Sequence, residues 1–152
     1  MIELARRAAG NAKDAAEAAR QIEKFVSLYI HQKSLSVGYA SAGEVAVSRE
    51  GDCTEHAVLT AAMCRAAGIP AQVVVGVLYT DEFGGVADIF VGHAWTQAYI
   101  GGKWIGLDAT RAPNGYDARH IALSVGNGNP AEFFGLVSLL GQFTIADIKV
   151  TK

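Results

Sequence analysis

Cys53 stands in Gly51-Asp52-Cys53-Thr54-Glu55-His56-Ala57, where a turn passes into a helix. His93 follows in Gly92-His93-Ala94-Trp95, and Asp108 in Gly106-Leu107-Asp108-Ala109-Thr110. A thiol at a helix start, an imidazole and a carboxylate, in that order, are the groups an activated cysteine nucleophile requires. A free thiol titrates near ~8.5 and is mostly protonated at neutral pH. At a helix N-terminus it meets unpaired N–H groups and the positive end of the macrodipole, which favour the thiolate. An imidazole beside it can take the proton. A carboxylate accepting from one ring nitrogen then leaves the other to face sulfur.

Helices and strands must bring these groups together. Ala15, Ala19, Ile22, Phe25 or Val26, and Tyr29 recur at helical spacing, so a helix is expected from about Asn11 to Gln32. Lys13, Asp14, Glu17, Arg20 and Glu23 fall on its other faces, and the residues before Asn11 read as a frayed extension. Lys33 to Ala40 reads as an extended connection. Ser41-Ala42-Gly43-Glu44 matches a capping box and starts a short helix from about Ala42 to Arg49, which Gly51 ends. The next helix runs from about Cys53 to Gly68, with Asp52 as N-cap, a stripe of Leu59, Ala62, Met63 and Ala66, and a stop at Gly68-Ile69-Pro70.

The period then changes. Ala71 to Tyr79 is a nearly all-apolar strand, Thr80 to Asp88 a loop, and Ile89 to Ile100 a second strand. Gly101-Gly102 is a hairpin turn into a third strand, Lys103 to Asp108. If Ile100 pairs with Lys103, paired positions sum to about 203, and His93 falls within about two residues of Asp108 across the hairpin. Ala112 to Arg119 reads as a loop and His120 to Val125 as a strand. Gly126 to Pro130 breaks the chain, Ala131 to Leu140 fits a short helix or an extended stretch, and Phe143 to Val150 reads as a final strand. Helices first, then a mostly antiparallel sheet, define an α+β architecture.

With 152 residues, of which 51% are hydrophobic and 18% charged, the chain suits one globular domain, expected over residues 1–152 and as a module of a longer protein. A net charge of −2 argues for neither nucleic acid nor an anionic membrane as partner. No apolar run approaches the ~18 residues of a membrane helix, and the N-terminus lacks a signal-peptide apolar block. A piece of a longer exported protein would look the same, so the compartment stays open. Cys53 and Cys64 lie on one helix, roughly 16 Å apart along its axis, too far for a bridge. Cys64 reads as a small buried hydrophobe.

Arg49-Glu-Gly-Asp-Cys-Thr-Glu-His-Ala57, Arg65-Ala-Ala-Gly-Ile-Pro-Ala71, His93-Ala94-Trp95 and Trp104-Ile-Gly-Leu-Asp-Ala-Thr110 together resemble the transglutaminase-like branch of the papain-like superfamily. The resemblance is close from about Ser41 to Thr110 and looser in the flanks. It implies N-terminal helices, one beginning at the nucleophile, packed on a mostly antiparallel sheet. It implies Cys53 as nucleophile, His93 as base and Asp108 as orienting carboxylate. The implied chemistry is acyl transfer on amide bonds of a protein or peptide substrate, by transamidation or hydrolysis. A non-catalytic binding or scaffold domain on the same fold is the alternative. The Cys53 N–H is the first oxyanion donor, a kind of contact that can be worth ~3–4 kcal/mol. Relatives often draw a second donor from a Trp or Gln upstream of the cysteine; the candidate here is Tyr39.

Other polar residues have simpler readings. Glu55 suits the helix dipole. His56, three residues after Cys53, competes as base but reads better as a brace between helix and sheet. His120 could border the cleft, though a structural role is simpler, and His31 reads as a helix-end cation or surface residue. Trp95 and Trp104 read as core or cleft wall. With no Cys-x-x-Cys, His-Glu-x-x-His or calcium-loop pattern, no metal or other cofactor is expected, and a transglutaminase relative of this kind would be calcium-independent.

Overall fold

The computed structural model describes residues 1–33 and 39–130, together with 142, 144 and 146. Among these residues four α-helices, α1 (Ile2–Ala9), α2 (Ala15–Tyr29), α3 (Ala42–Ser48) and α4 (Cys53–Ala66), precede the strands β1 (Ala71–Phe83), β2 (Val86–Ile100), β3 (Lys103–Leu107) and β4 (His120–Gly126). A 3-10 turn, Ala109–Arg111, follows β3. The four strands form one antiparallel sheet in the order β3-β2-β1-β4. The α+β architecture is the one expected. Most of the connection read at 33–40, and the elements read at 131–140 and 143–150, lie outside the described residues.

Helix α4 is the centre of the molecule. A single apolar stripe was expected, yet Thr54 to Ala61, Met63 and Cys64 are all buried. The cause is contact on both sides: α1, α2 and α3 pack on one flank and β1 and β2 on the other. Complete burial of Leu59 or Met63 contributes about 1.5–3 kcal/mol each relative to exposure. Thr96 on β2 ties the layers together by donating its hydroxyl to the Ala57 carbonyl, at 2.8 Å.

Three local readings are corrected. The first residues form a separate helix rather than a frayed extension, because Asp14 caps a new start by accepting from the Glu17 N–H. Helix α3 closes on Arg49 in the left-handed region, φ 58°, and not on Gly51. Residues 80–88 are not a loop. Gly84 and Gly85 both take positive φ, as a two-residue hairpin turn requires, so β1 and β2 stay paired out to Phe83↔Val86.

The pairing that matters for the site is that of β2 with β3. Ile100 pairs with Lys103 and Thr96 with Leu107, the register expected from the Gly101-Gly102 turn. There β3 ends, and its chain turns away at Asp108. On the opposite edge of β1, the pairing with β4 slips between Val75 and Gly76, so that Leu123 has no partner residue. Gly76 permits this. A Cβ there would collide with the Ile121 carbonyl and the Trp95 indole. No helix among the described residues is long and apolar enough to cross a membrane.

Candidate active site

Cys53 is the first residue of α4, and the turn before it is built by three neighbours. Asp52 caps the helix, its carboxylate accepting from Thr54 N–H at 2.8 Å. Glu55 completes the capping box by accepting from the Asp52 N–H at 3.0 Å, and also takes the Ala40 N–H at 2.9 Å. This carboxylate is fully buried. Burial pushes it up, against the two N–H groups that hold its charge. Gly51, at φ 151°, must be glycine, because a Cβ would overlap the Glu55 side chain. The Gly-Asp-Cys-Thr-Glu segment therefore fixes where the thiol points.

Cys53 and His93 line one cleft of about 400 Å³, with Asp52, His56, Leu78, Thr80 and Phe83 among its walls. Because β3 pairs with β2 only as far as Thr96, the edge of β2 at His93 and Ala94 is open on that side. The Ala94 N–H faces the Cys53 sulfur there, as does the Thr54 hydroxyl. Among the described residues no bond from the Cys53 N–H is seen, and this is one of the donors that a helix start leaves without an intrahelical acceptor.

His93 is buried, and its Nε2 donates to Asp108 Oδ2 at 2.8 Å. The second ring nitrogen, Nδ1, makes no hydrogen bond among the described residues. Asp108 is held on every side. Its Oδ1 accepts from Thr110 N–H at 3.0 Å, and its own N–H donates to Glu23 Oε1 at 2.6 Å. Its Oδ2 accepts a second bond, from His120 Nε2 at 3.0 Å. Burial alone would raise this carboxyl, but the bonds and charges of His120 and His93 outweigh it and hold the group below the usual carboxylate range.

The thiol behaves differently from the expectation of a helix-stabilised thiolate. Burial pushes Cys53 up to about 12, and the Asp52 charge adds to the shift, while the Ala94 N–H and Thr54 hydroxyl oppose it. The helix N-terminus offers less than expected because the Asp52 carboxylate already occupies it. The resting sulfur is a thiol, and any thiolate must arise by passing its proton to a partner. Cys64 is sealed in the core, pushed up to about 12 by burial and the charge of Glu23, and both cysteines are free.

The remaining expectations divide. His56 braces α4, its Nδ1–H donating to the Asp52 carbonyl at 2.6 Å, while its ring also lines the cleft; burial holds it below the usual imidazole range. Tyr39 lines a different pocket, with Thr54, Val73, Val75 and Ser124, and is not among the residues around Cys53 in the cleft. Trp95 is core, but Trp104 is neither core nor cleft wall: it is 45% exposed and packs against Tyr99 across the β2–β3 pair. Glu23, expected among the polar residues of its helix, belongs to the site through the Asp108 N–H, and His120, for which a place at the cleft is the less simple of two readings, reaches Asp108 Oδ2. His93, Asp108 and His120 bring one ligand atom each within 4.8 Å of one another, the spacing of a metal cluster. Two ring N–H groups donating to one carboxylate oxygen account for that closeness.

A family model described as the transglutaminase-like superfamily matches residues 2–109. The fold is similar to that of a protein from Cytophaga hutchinsonii provisionally described as a cysteine protease. The two are 28% identical with a TM-score of 0.67, over 83% of this chain and 41% of that one. It is also similar to a structure described as a TGase, at 19% identity and TM-score 0.55, over 76% of this chain and 31% of that one. A third, from Parabacteroides distasonis and provisionally described as a protease, is 15% identical with TM-score 0.52, over 83% and 27%. The last two speak to the fold alone. The chain spans less than half the length of each of these three proteins. No curated protein matches it.

Proposed function

The chain belongs to the transglutaminase-like superfamily, and from that premise we propose that it carries out thiol-dependent acyl transfer on amide bonds of protein or peptide substrates. Cys53 is the nucleophile, His93 the base and Asp108 the orienting carboxylate. The observation that carries this reading is the His93 Nε2–Asp108 Oδ2 hydrogen bond of 2.8 Å in a ring that shares its cleft with the Cys53 thiol. With Nε2 donating to a carboxylate, the neutral ring keeps its lone pair on Nδ1, the atom that can take the thiol proton.

The steps follow from these positions. The Cys53 proton passes to His93 Nδ1 as sulfur attacks the amide carbonyl carbon. A C–S bond forms, and the carbonyl electron pair moves to oxygen. The Cys53 N–H stabilises that oxyanion, and the Ala94 N–H stabilises the sulfur charge before attack. Collapse breaks the C–N bond, and the leaving amine or ammonia takes the proton from His93. An incoming amine or water then gives a proton to His93, attacks the thioester and releases the sulfur. The amine gives transamidation and the water gives hydrolysis. No step calls for a metal or other cofactor, calcium included.

A catalytically silent binding domain is favoured by one observation, the burial that pushes the Cys53 thiol up to about 12. One experiment separates the two. The protein is incubated with a glutamine peptide and a labelled primary amine, and both ammonia release and label incorporation are followed, with Cys53→Ala as control. Ammonia with incorporated label identifies a transferase, and ammonia alone a hydrolase. Neither product, across a panel of amide peptides, would leave the binding domain standing.

A further inference from the structure

From Ala94 back to Val86, β2 has only β1 beside it. Its other edge is covered by β3 no further than the pair Thr96↔Leu107. The register shows which groups face the open side. Tyr99 donates its N–H to the Pro70 carbonyl, toward β1, and the β1–β2 pairing runs unbroken from Ala71↔Ala98 to Thr80↔Ile89. In an antiparallel ladder alternate residues turn both N–H and C=O to the same neighbour. Tyr99, Gln97, Trp95, His93 and Val91 therefore bond to β1, while Ala94, Gly92 and Phe90 turn their groups outward. The Ala94 N–H obeys this rule, since it faces the Cys53 sulfur. Among the described residues no bond to the outward groups of Phe90 or Gly92 is seen, and Gly92 is exposed. Val91 and Gly92 line the thiol cleft, as do Thr110 and Arg111 from the turn after β3.

We propose that this edge receives the acyl donor: an extended peptide segment joins the sheet beside β2, bonded to the backbone of Phe90 and Gly92, with apolar side chains against Val91 and Leu78. The inference rests on the acyl-transfer reading of the site and names how its substrate is held. An unpaired edge is a template for a further strand, whose affinity comes from main-chain bonds. Outward groups recur about 7 Å apart along a strand. A segment bonded at Phe90 and Gly92 thus has its next amide at Ala94, beside the sulfur. That continuity favours the acyl donor as occupant over a second copy of the chain. Gly92 lacks a side chain, so an entering backbone can come close. Val91 pairs with Leu78, shares a sheet face with His93, and lines the cleft with both. Every second residue of the segment therefore meets an apolar wall. The substrate class is an extended stretch with apolar residues at alternate positions; a helix would leave the edge unpaired.

The test uses the Cys53→Ala protein, which holds a peptide without turning it over. The probe is a blocked heptapeptide with serine at the odd positions and leucine, glutamine and leucine at the even ones. The Phe90 and Gly92 amides should exchange hydrogen fast in the free protein and slowly once the peptide is added. Amides protected without peptide would overturn the proposal, because another segment or a second copy would then hold the edge. No added protection at millimolar peptide would overturn it too. Methylating the peptide's backbone nitrogens one at a time should weaken binding about 5- to 10-fold at every second position and little between them. An even loss, or none, would exclude strand pairing. Alanine in place of both leucines should weaken binding about 10-fold, and equal affinity would remove the apolar wall. A peptide that binds with these signatures but is not turned over by the protein with Cys53 intact would sink the proposed reaction and leave the edge pairing standing.

Discussion

Glu23, on α2, accepts the backbone N–H of Asp108 at 2.6 Å across 85 positions of sequence. The bond fixes the main chain where β3 ends, and with it the direction of the carboxylate that holds His93. Burial pushes the Glu23 carboxyl up, so an N–H donor is what makes its charge tolerable there. In Glu23→Ala the Asp108 amide loses its acceptor, and turnover should fall about 10-fold or more, while Glu23→Gln, which keeps an acceptor oxygen, should stay much nearer wild type. Ammonia release on the same peptide for both variants checks this. Equal turnover in the two would remove Glu23 from the positioning of Asp108.

Cys53→Ala should lower amide turnover by about 10⁴-fold or more, and His93→Ala by a similar factor, since groups that act as a unit fail together. The double variant should be no worse than either single one. Independent, multiplying losses would mean that the two side chains do not share a proton.

Asp108 is held below the usual carboxylate range in the folded protein. For such a group, stability is present above the unfolded-state value near ~3.9 and is lost as pH falls below it. Melting temperatures compared between wild type and Asp108→Asn should therefore differ most at neutral pH, and the gap should narrow in acid below about pH 4. A gap that widens in acid would contradict the bonding seen around Oδ2.

Cys64 carries the opposite sign. Its folded value is pushed up to about 12, so the buried thiol contributes stability below the unfolded value and loses it as pH climbs toward the folded one. Above about pH 9 wild type should lose up to about 1.4 kcal/mol per pH unit relative to Cys64→Ala. Urea midpoints measured at several alkaline pH values give the slope, and parallel curves would show that the thiol titrates freely.

Gly51→Ala places a methyl group into Glu55 and forces a side chain to φ 151°. It should cost at least about 2 kcal/mol, read by urea denaturation, and should slow Cys53 alkylation as well. A variant with wild-type stability and wild-type thiol reactivity would show that the turn does not aim the sulfur.

Much of the site was readable because its determinants are local. Asp52 caps the helix from the position just before it, and Gly101-Gly102 fixes the β2–β3 register from a single turn; the capping box that Glu55 completes was not read, its charge being assigned to the helix dipole. The contacts that escaped reading act over distance. Glu23 sits where helical periodicity puts a solvent-facing charge, and only the fold reveals the amide waiting for it. His120 reaches Asp108 because its strand is out of step with its neighbour, which no pattern of apolar residues records. The loop read at 80–88 failed for another reason: exposed Asp81, Glu82 and Asp88 look like a connection, yet two consecutive glycines keep a solvated two-stranded ribbon in register.

Strand β4 carries one residue, Leu123, more than the stretch of β1 it follows. Side chains alternate along a strand, so an even ladder sliding through that point would set Ile121 opposite Leu78, where His120 now stands. An alkyl group would then confront the carboxylate, and the imidazole would swing to the reverse side of the sheet. What decides between these two alignments is the bare α-carbon of Gly76, which gives the Ile121 carbonyl room to intrude. A position with no functional group of its own thus selects which chemistry the neighbouring strand presents.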